Sequence, residues 1–292
     1  MSNNRLALGT VQFGLDYGVA NKLGQVQSSQ VDRILSDAKK FEIDLLDTAI
    51  GYGASEEVLG AEGVKEFQVI TKLPGLPKHI FNIGSWVRTQ VENSLMRLRK
   101  KELYGLLLHR PQDLMGYGGA ELIDALSELK NEGIVRKLGV SIYSPNELDQ
   151  INECIRIDLV QAPVNVIDRR MERSGWLEKL KKDGIEVHAR SVFLQGLLLM
   201  RRNEIPERFA RWASLWNEWH KNLKLAGVSP LAACLAYPLS LCEIDRVIVG
   251  VDSSCQLLEI IEAMEQARGI FDTSFMASLD LDLINPANWN YI

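Results

Sequence analysis

The stretch IDLLDTAIGYGAS (residues 43–55) contains an apolar run, a polar turn and a helix start in succession. The run from Ile43 to Asp47 is rich in Ile and Leu, which predicts a strand buried on both faces. Ser55 precedes a helical pattern and could supply a capping hydroxyl at its start. A strand followed by a helix is the βα unit of parallel sheets, so this stretch predicts a fold built from such units.

Seven further apolar runs repeat the pattern along the chain. With the run above, the predicted strands are Arg5 to Leu8, Ile43 to Asp47, Gln68 to Lys72, Gly105 to His109, Lys137 to Ser141, Leu159 to Gln161, Glu186 to Ala189 and Arg246 to Val249. The stretches between them carry apolar residues at helical spacing, as at Val31, Ile34 and Leu35. Eight βα units in 292 residues match a closed barrel better than an open sheet. We therefore predict an α/β fold, a single (β/α)8 TIM barrel, as one domain over residues 1–292.

Composition argues against several classes of protein. The chain is 46% hydrophobic and 24% charged, which is ordinary for a globular protein, and its net charge of -5 offers no basic field for nucleic acid. The opening MSNNRLAL has neither the cationic n-region nor the apolar h-region typical of a signal peptide, and no apolar run approaches the length of about 20 residues that a membrane helix needs. The four cysteines form no CxxC pair, and the four histidines lie too far apart for a metal motif. We expect a cytoplasmic protein, monomeric or a small homo-oligomer, with no nucleic-acid, membrane or metal partner.

Polar residues close three consecutive predicted strands. Asp47 ends the second strand, with Tyr52 in the turn that follows, Lys72 ends the third and His109 ends the fourth. Taken singly, each has an ordinary explanation, such as a helix cap, a surface side chain or a buried imidazole. Because barrel enzymes keep their reactive groups at the carboxyl ends of the strands, we expect the four side chains to meet in one catalytic site.

This set of residue types suits the reduction of a carbonyl group. Tyr52 would donate a proton to the developing alkoxide, and the Lys72 ammonium would stabilise the phenolate left behind. Asp47 would hold Lys72 in place, and His109 would direct the substrate oxygen. The hydride must come from a cofactor, because no side chain supplies one.

Two other barrel chemistries are less consistent with these residues. A Schiff-base lyase using Lys72 would need a lowered lysine pKa, which the carboxylate of Asp47 opposes. A metal hydrolase using Asp47 and His109 would need more ligands than the predicted site supplies.

The sequence resembles the aldo-keto reductase superfamily over nearly the whole chain. The matching motifs are Leu8-Gly9-Thr10, Asp47-Thr48-Ala49 with Tyr52-Gly53, Ser55-Glu56 with Leu59-Gly60, Lys72, Leu106 to His109, Leu138-Gly139-Val140-Ser141, Gln161, Ala189 to Leu198, and Val249-Gly250 with Leu257 and Glu259. The resemblance implies an NAD(P)-dependent reductase of a small-molecule aldehyde or ketone, such as a sugar-derived carbonyl, with NADP(H) or NAD(H) as cofactor. By that resemblance the catalytic tetrad is Asp47, Tyr52, Lys72 and His109. An alternative stays open, since cofactor-binding regulatory or sensing subunits with little turnover can keep the same tetrad.

The resemblance also implies where a cofactor and a substrate would bind. Residues expected to contact the cofactor are Gly9, Thr10 and Asp47; Ser141 and Gln161 at the nicotinamide carboxamide; Arg190 beside the nicotinamide ring; Ser191, Leu194 and Gly196 at the pyrophosphate; and Gly250, Asp252, Gln256 and Glu259 at the adenosine end. A helix N-terminus there would suit phosphate. Separately from the resemblance, the residues expected to line the substrate pocket, because they fall in loops at the carboxyl face or in the tail, are Phe13, Tyr17, Tyr143, Phe193 and Trp289. The long segment from Leu194 to Phe209 is a lid candidate.

Three positions depart from the family pattern. Ile142 follows the Ser of the fifth strand where the family usually has Asn, so one carboxamide hydrogen bond must be replaced or lost. Arg190 stands where an aromatic ring often stacks on the nicotinamide, and it could stack in its place or contact an anionic substrate. Asp252 stands where a cation often binds the 2′-phosphate, and a carboxylate there would cost on the order of 4 kcal/mol. We expect weakened NADP selectivity or NAD use, unless Asp252 points to solvent.

Overall fold

The strands close into a barrel in sequence order. The computed structural model describes residues 5–267 and 272–291, so residues 1–4, residues 268–271 and Ile292 of the predicted domain lie outside the described residues. Within that part of the chain, eight parallel strands form a closed barrel in which each pairs with its neighbours in sequence and the last pairs with the first. The strands are β1 (Leu6–Gly9), β2 (Leu45–Asp47), β3 (Gln68–Leu73), β4 (Leu103–Leu108), β5 (Val135–Ser141), β6 (Leu159–Pro163), β7 (Glu186–Arg190) and β8 (Arg246–Gly250). This confirms the predicted (β/α)8 barrel.

Helices lie between the strands. They are α1 (Val11–Gly14), α2 (Ser28–Lys40), α3 (Ser55–Glu62), α4 (Ile83–Leu98), α5 (Gly119–Asn131), α6 (Glu147–Cys154), α7 (Arg170–Arg173), α8 (Trp176–Lys182), α9 (Ala213–Ala226), α10 (Pro230–Ser240), α11 (Ser254–Gln266) and α12 (Leu281–Ile284). Among the described residues, no single helix is long and apolar enough to cross a membrane; a bent pair, Glu207–Ala226 with Pro230–Ser240, meets the length and composition test only jointly.

Side chains of the strands alternate between two apolar clusters. Leu6 and Leu8 belong to the larger core between the barrel and the helices, whereas Ala7 faces the opposite way. Six strand residues form the smaller cluster inside the barrel: Ala7, Leu45, Ile70, Leu107, Leu159 and Ile248. The barrel interior is therefore packed, which leaves the carboxyl ends of the strands as the place for a site.

A carboxylate with several partners lies at the amino end of the barrel. Glu186, at the start of β7, accepts hydrogen bonds from Tyr104 at 2.8 Å and from Lys137, and it bonds to the His188 ring at 2.7 Å. Burial alone would raise the pKa of Glu186. The hydrogen bonds outweigh burial, above all the one to His188, and lower the pKa to about 2 from 4.5.

A depressed carboxylate pKa makes stability depend on pH. The Glu186 contribution is fully present above pH 4.5 and is lost as the pH falls towards 2. We expect Glu186→Gln to lower the free energy of unfolding by about 3 kcal/mol at neutral pH, with the difference shrinking below pH 4.5. Urea unfolding across this range measures it, with Glu102→Gln as the control because Glu102 pairs with Arg136 on the surface. A difference independent of pH would contradict the assignment.

Candidate active site

Four side chains from neighbouring strand ends lie together at the carboxyl end of the barrel. Lys72 lies in β3, and its Nζ is 2.8 Å from both carboxylate oxygens of Asp47, the last residue of β2. Lys72 also donates to the backbone oxygen of Thr48 at 2.8 Å and is only 1% exposed. Its Nζ lies 5.0 Å from the centroid of the Tyr52 ring. The Tyr52 ring meets the ring of His109 edge to face at a centroid distance of 5.9 Å.

The surroundings fix the charge states of the lysine and the histidine. Burial alone would lower the pKa of Lys72, but the Asp47 carboxylate and the Tyr52 oxygen raise it above its usual value. A lysine held as an ammonium is a poor nucleophile, which argues against Schiff-base chemistry at this position. Burial, Lys72 and Arg190 lower the pKa of His109 to about 4, so its imidazole is neutral at neutral pH and carries one N–H.

A hydroxyl network holds the turn that carries Asp47 and Tyr52. Thr10 Oγ1 donates to the backbone oxygen of Asp47 at 3.0 Å. Ser55 Oγ donates to the backbone oxygen of Thr10 at 2.8 Å and lies 3.1 Å from Thr48 Oγ1. The expectation that Ser55 caps α3 is therefore wrong, because its hydroxyl bonds to the residue that follows β1 and the N-cap position is Ala54.

Two further contacts fix this turn, and neither could be inferred from the sequence. Gly14 packs so tightly that a Cβ there would overlap the backbone oxygen of Tyr52 and the amide nitrogen of Ser55. Gln161 Nε2 donates to Asp47 Oδ1 at 2.8 Å, which leaves the amide oxygen of Gln161 for another donor. The tetrad is therefore held by buried contacts on several sides.

A cavity of about 550 Å³ opens above these residues. All the expected cofactor contacts line it except Leu194: Gly9, Thr10, Asp47, Ser141, Gln161, Arg190, Ser191, Gly196, Gly250, Asp252, Gln256 and Glu259. Leu194 is fully buried, because the turn that carries it (φ +49°) points its side chain into the core. Tyr52 and His109 also line the cavity, while Lys72 lies beneath it.

Three of the five expected substrate-pocket residues line the cavity, namely Tyr17, Tyr143 and Phe193. Phe13 does not, because α1 buries its ring completely in the hydrophobic core. Trp289 does not either: its ring packs against Phe209 at a centroid distance of 4.8 Å, and its indole N–H donates to the Leu283 oxygen. The prediction that Phe13 and Trp289 line the substrate pocket is therefore wrong, because both rings lie in the hydrophobic core.

The loop after β1 crosses the cavity to meet the loop after β7. Gln195 Nε2 donates to the Tyr17 hydroxyl at 3.3 Å, and the Gln195 backbone oxygen accepts from Ala20 N at 3.4 Å. Lys22 pairs with Glu204 at 3.9 Å. The sequence predicted a lid from residues 194–209 and placed Tyr17 in the pocket by its position in a loop, but it could not predict that the two loops touch.

Near the end of β8, two buried acceptor atoms have no hydrogen-bond partner among residues 5–267 and 272–291. These atoms are Gln12 Oε1 and Asp252 Oδ1, and both residues line the cavity. The backbone N–H of Asp252 donates to Gln256 Oε1 at 2.8 Å, which fixes the segment before α11. Acceptors of this kind suit the hydroxyl groups of a ribose, so the residues present fit the sugar of a dinucleotide.

Fold and site together define a β/α barrel whose carboxyl end holds a buried Asp–Lys ion pair beside a tyrosine and a histidine. The chain belongs to the aldo/keto reductase family, whose model matches residues 5–280. This confirms the resemblance drawn from the motifs.

Curated relatives and solved structures agree with the family. The chain is 33% identical over 174 residues to the aldo-keto reductase YhdN of Bacillus subtilis, a match that covers 56% of this chain and 51%, or about half the length, of that relative. It is 25% identical over 285 residues to the NADH-specific methylglyoxal reductase of Escherichia coli, covering 85% of this chain and 86% of that protein.

Two solved structures share the fold. One is the holo form of the aldo-keto reductase AKR11C1 from Bacillus halodurans, with a TM-score of 0.70, 21% identity and coverage of 93% of this chain and 89% of that one. The other is the glycerol dehydrogenase AKR11B4 from Gluconobacter oxydans, with a TM-score of 0.68, 23% identity and coverage of 97% and 92%.

Proposed function

We propose that the protein reduces an aldehyde or ketone to the alcohol with NADH, with Tyr52 as the proton donor. One observation carries the proposal: a buried lysine, held as an ammonium by the Asp47 carboxylate, lies 5.0 Å from the Tyr52 ring at the floor of the cavity. A positive charge in that position favours the phenolate that forms when Tyr52 gives up its proton. Family membership supports the same chemistry.

Three members of the tetrad have separate tasks in the reaction, and the fourth, Asp47, keeps Lys72 charged. Tyr52 donates its hydroxyl proton to the carbonyl oxygen, and Lys72 stabilises the phenolate that remains. The neutral His109 donates its N–H to the same oxygen and fixes its direction. A bound nicotinamide would supply the hydride, with Ser141 and the free amide oxygen of Gln161 available to its carboxamide.

Preference for NADH over NADPH rests on Asp252. In the part of the chain that the structure describes, its buried Oδ1 has no partner, so it could accept from a ribose hydroxyl, whereas a 2′-phosphate would meet repulsion of about 4 kcal/mol. Burial raises the pKa of Asp252, and this effect outweighs the hydrogen bond from the Gln256 side chain. The relative from Escherichia coli is named NADH-specific, in line with this preference.

Asp252→Arg is expected to shift the ratio of NADPH to NADH affinity by about 10-fold or more towards NADPH, because it replaces repulsion with attraction. Fluorescence titration with each reduced cofactor measures both dissociation constants. Asp32→Arg, on the exposed side of α2, is the matched control for the change in net charge. Wild-type protein that binds NADPH more tightly than NADH would contradict the proposal.

Steady-state oxidation of NADH with a panel of aldehydes and ketones tests the activity itself. Turnover that depends on the carbonyl compound supports a reductase. Tight NADH binding without turnover across the panel would favour the alternative, a regulatory or sensing subunit.

A further inference from the structure

Arg190 brings a positive charge into the cavity without a carboxylate to balance it. It ends β7 and lines the cavity beside Tyr52 and His109. Among the described residues, it forms no ion pair with any Asp or Glu. Its positive charge acts on the catalytic residues, because electrostatic repulsion from Arg190 helps to lower the pKa of His109.

The other charges near the catalytic end already have partners. Lys72 Nζ forms an ion pair with Asp47 Oδ2 at 2.8 Å, and Lys22 Nζ lies 3.9 Å from Glu204 Oε1. The carboxylates at the β8 end of the cavity, Asp252 and Glu259, belong to the proposed nucleotide end. Arg190 is therefore the uncompensated cation beside the tetrad in the part of the chain that the structure describes.

The guanidinium of Arg190 is held in one orientation, with hydrogen-bond donors to spare. Nη2 donates to the Ile142 backbone oxygen at 2.8 Å and Nη1 to Ser191 Oγ at 3.1 Å. The Tyr143 ring covers the guanidinium at 4.6 Å, and Arg170 holds Tyr143 by a 2.8 Å bond to its backbone oxygen. Two of the five N–H donors are thus used, and the buried Nε has no partner within the described ranges of the chain.

We propose that the substrate is a carbonyl compound with an anionic group, a carboxylate or a phosphate, which Arg190 binds while the carbonyl oxygen meets Tyr52 and His109. The proposal rests on the proposed reductase function and names its substrate class. An oxyanion would neutralise the unpaired charge and accept from the remaining N–H groups. Arg190 then acts as a specificity residue, because a neutral carbonyl compound leaves that charge unpaired.

Matched pairs of substrates, in which one member carries an anionic group that the other lacks, test this with NADH and the full-length protein. The pairs are methyl pyruvate and pyruvate, butanal and succinic semialdehyde, and glyceraldehyde and glyceraldehyde 3-phosphate. The first two pairs probe a carboxylate and the third a phosphate. We expect the anionic member of at least one pair to have a kcat/KM about 10-fold or more above its neutral member.

Variants then assign the preference to one side chain. Arg190→Met is expected to lower the anionic-to-neutral ratio by about 10- to 100-fold, the usual effect of a lost hydrogen bond to a charged group. Arg190→Lys keeps the positive charge but loses the planar guanidinium, so it should retain part of the anionic-to-neutral ratio of kcat/KM. Arg33→Met, on the exposed face of α2, is the control and should leave the ratio unchanged. If Arg190→Met does not fold, the wild-type pairs and Arg190→Lys decide.

The outcomes separate this proposal from the reductase function. If the neutral member of every pair has a kcat/KM equal to or above that of its anionic partner, the proposed substrate class is wrong, while the proposed reductase function still stands. If Arg190→Met lowers kcat/KM equally for both members of a pair and also weakens NADH binding, Arg190 stacks on the nicotinamide instead. That result would also overturn the proposed substrate class. No NADH oxidation with any compound would reject both proposals.

Discussion

Replacing Tyr52 with phenylalanine is expected to lower kcat for carbonyl reduction by about 100-fold or more, because the variant keeps the ring and loses the transferable proton. Packing should survive, since the edge-to-face contact with His109 at 5.9 Å involves the rings and not the hydroxyl. NADH affinity should stay close to that of the wild type, because the phenol acts on the substrate oxygen. NADH oxidation with an aldehyde and fluorescence titration with NADH measure the two quantities.

Tyr117→Phe is the matched control for this substitution. Tyr117 is 96% exposed and does not line the cavity, so the same atom is removed away from the site. If Tyr52→Phe leaves kcat unchanged, the Tyr52 phenol is not the proton donor. Joint loss of turnover and NADH binding would give Tyr52 a structural role.

The barrel could be predicted because its strands are buried on both faces. Such strands appear in the sequence as short, nearly continuous apolar runs, and all eight coincide with observed strands to within two residues at each end. The start of β2 shows why the ends differ. Ile43 N donates to the Ala38 oxygen and closes the end of α2, so the strand begins at Leu45. Contacts at helix ends decide such boundaries, and apolar periodicity does not encode them.

The tetrad could be proposed because polar residues interrupt apolar runs where the strands end. The contacts that hold it could not, since Gly14 and Thr10 reach the Tyr52 turn from the segment that follows β1. The same limit applies to Phe13 and Trp289. Their positions in loops suggested a pocket, but tertiary packing buries both rings. Local pattern locates reactive groups along the chain, whereas packing decides which loop residues face the cavity.

The pair Lys72 and Asp47 links stability to catalysis, and removing one member is expected to damage both. Lys72→Met leaves the Asp47 carboxylate, which is 5% exposed, without its counter-ion. An uncompensated buried charge costs about 3–5 kcal/mol of unfolding free energy. Turnover should also fall by about 100-fold or more, because nothing then stabilises the phenolate of Tyr52.

A second variant separates the two effects. In the double variant Asp47→Asn with Lys72→Met, the unpaired charge is gone, and the amide oxygen of the introduced asparagine replaces the carboxylate as acceptor for Gln161. Urea unfolding should then show stability recovered by about 2 kcal/mol or more relative to Lys72→Met. Turnover should stay as low as in the single variant, because the ammonium is still missing. A double variant that regains activity would mean that Lys72 serves the fold alone, and Tyr52 would need another source of stabilisation.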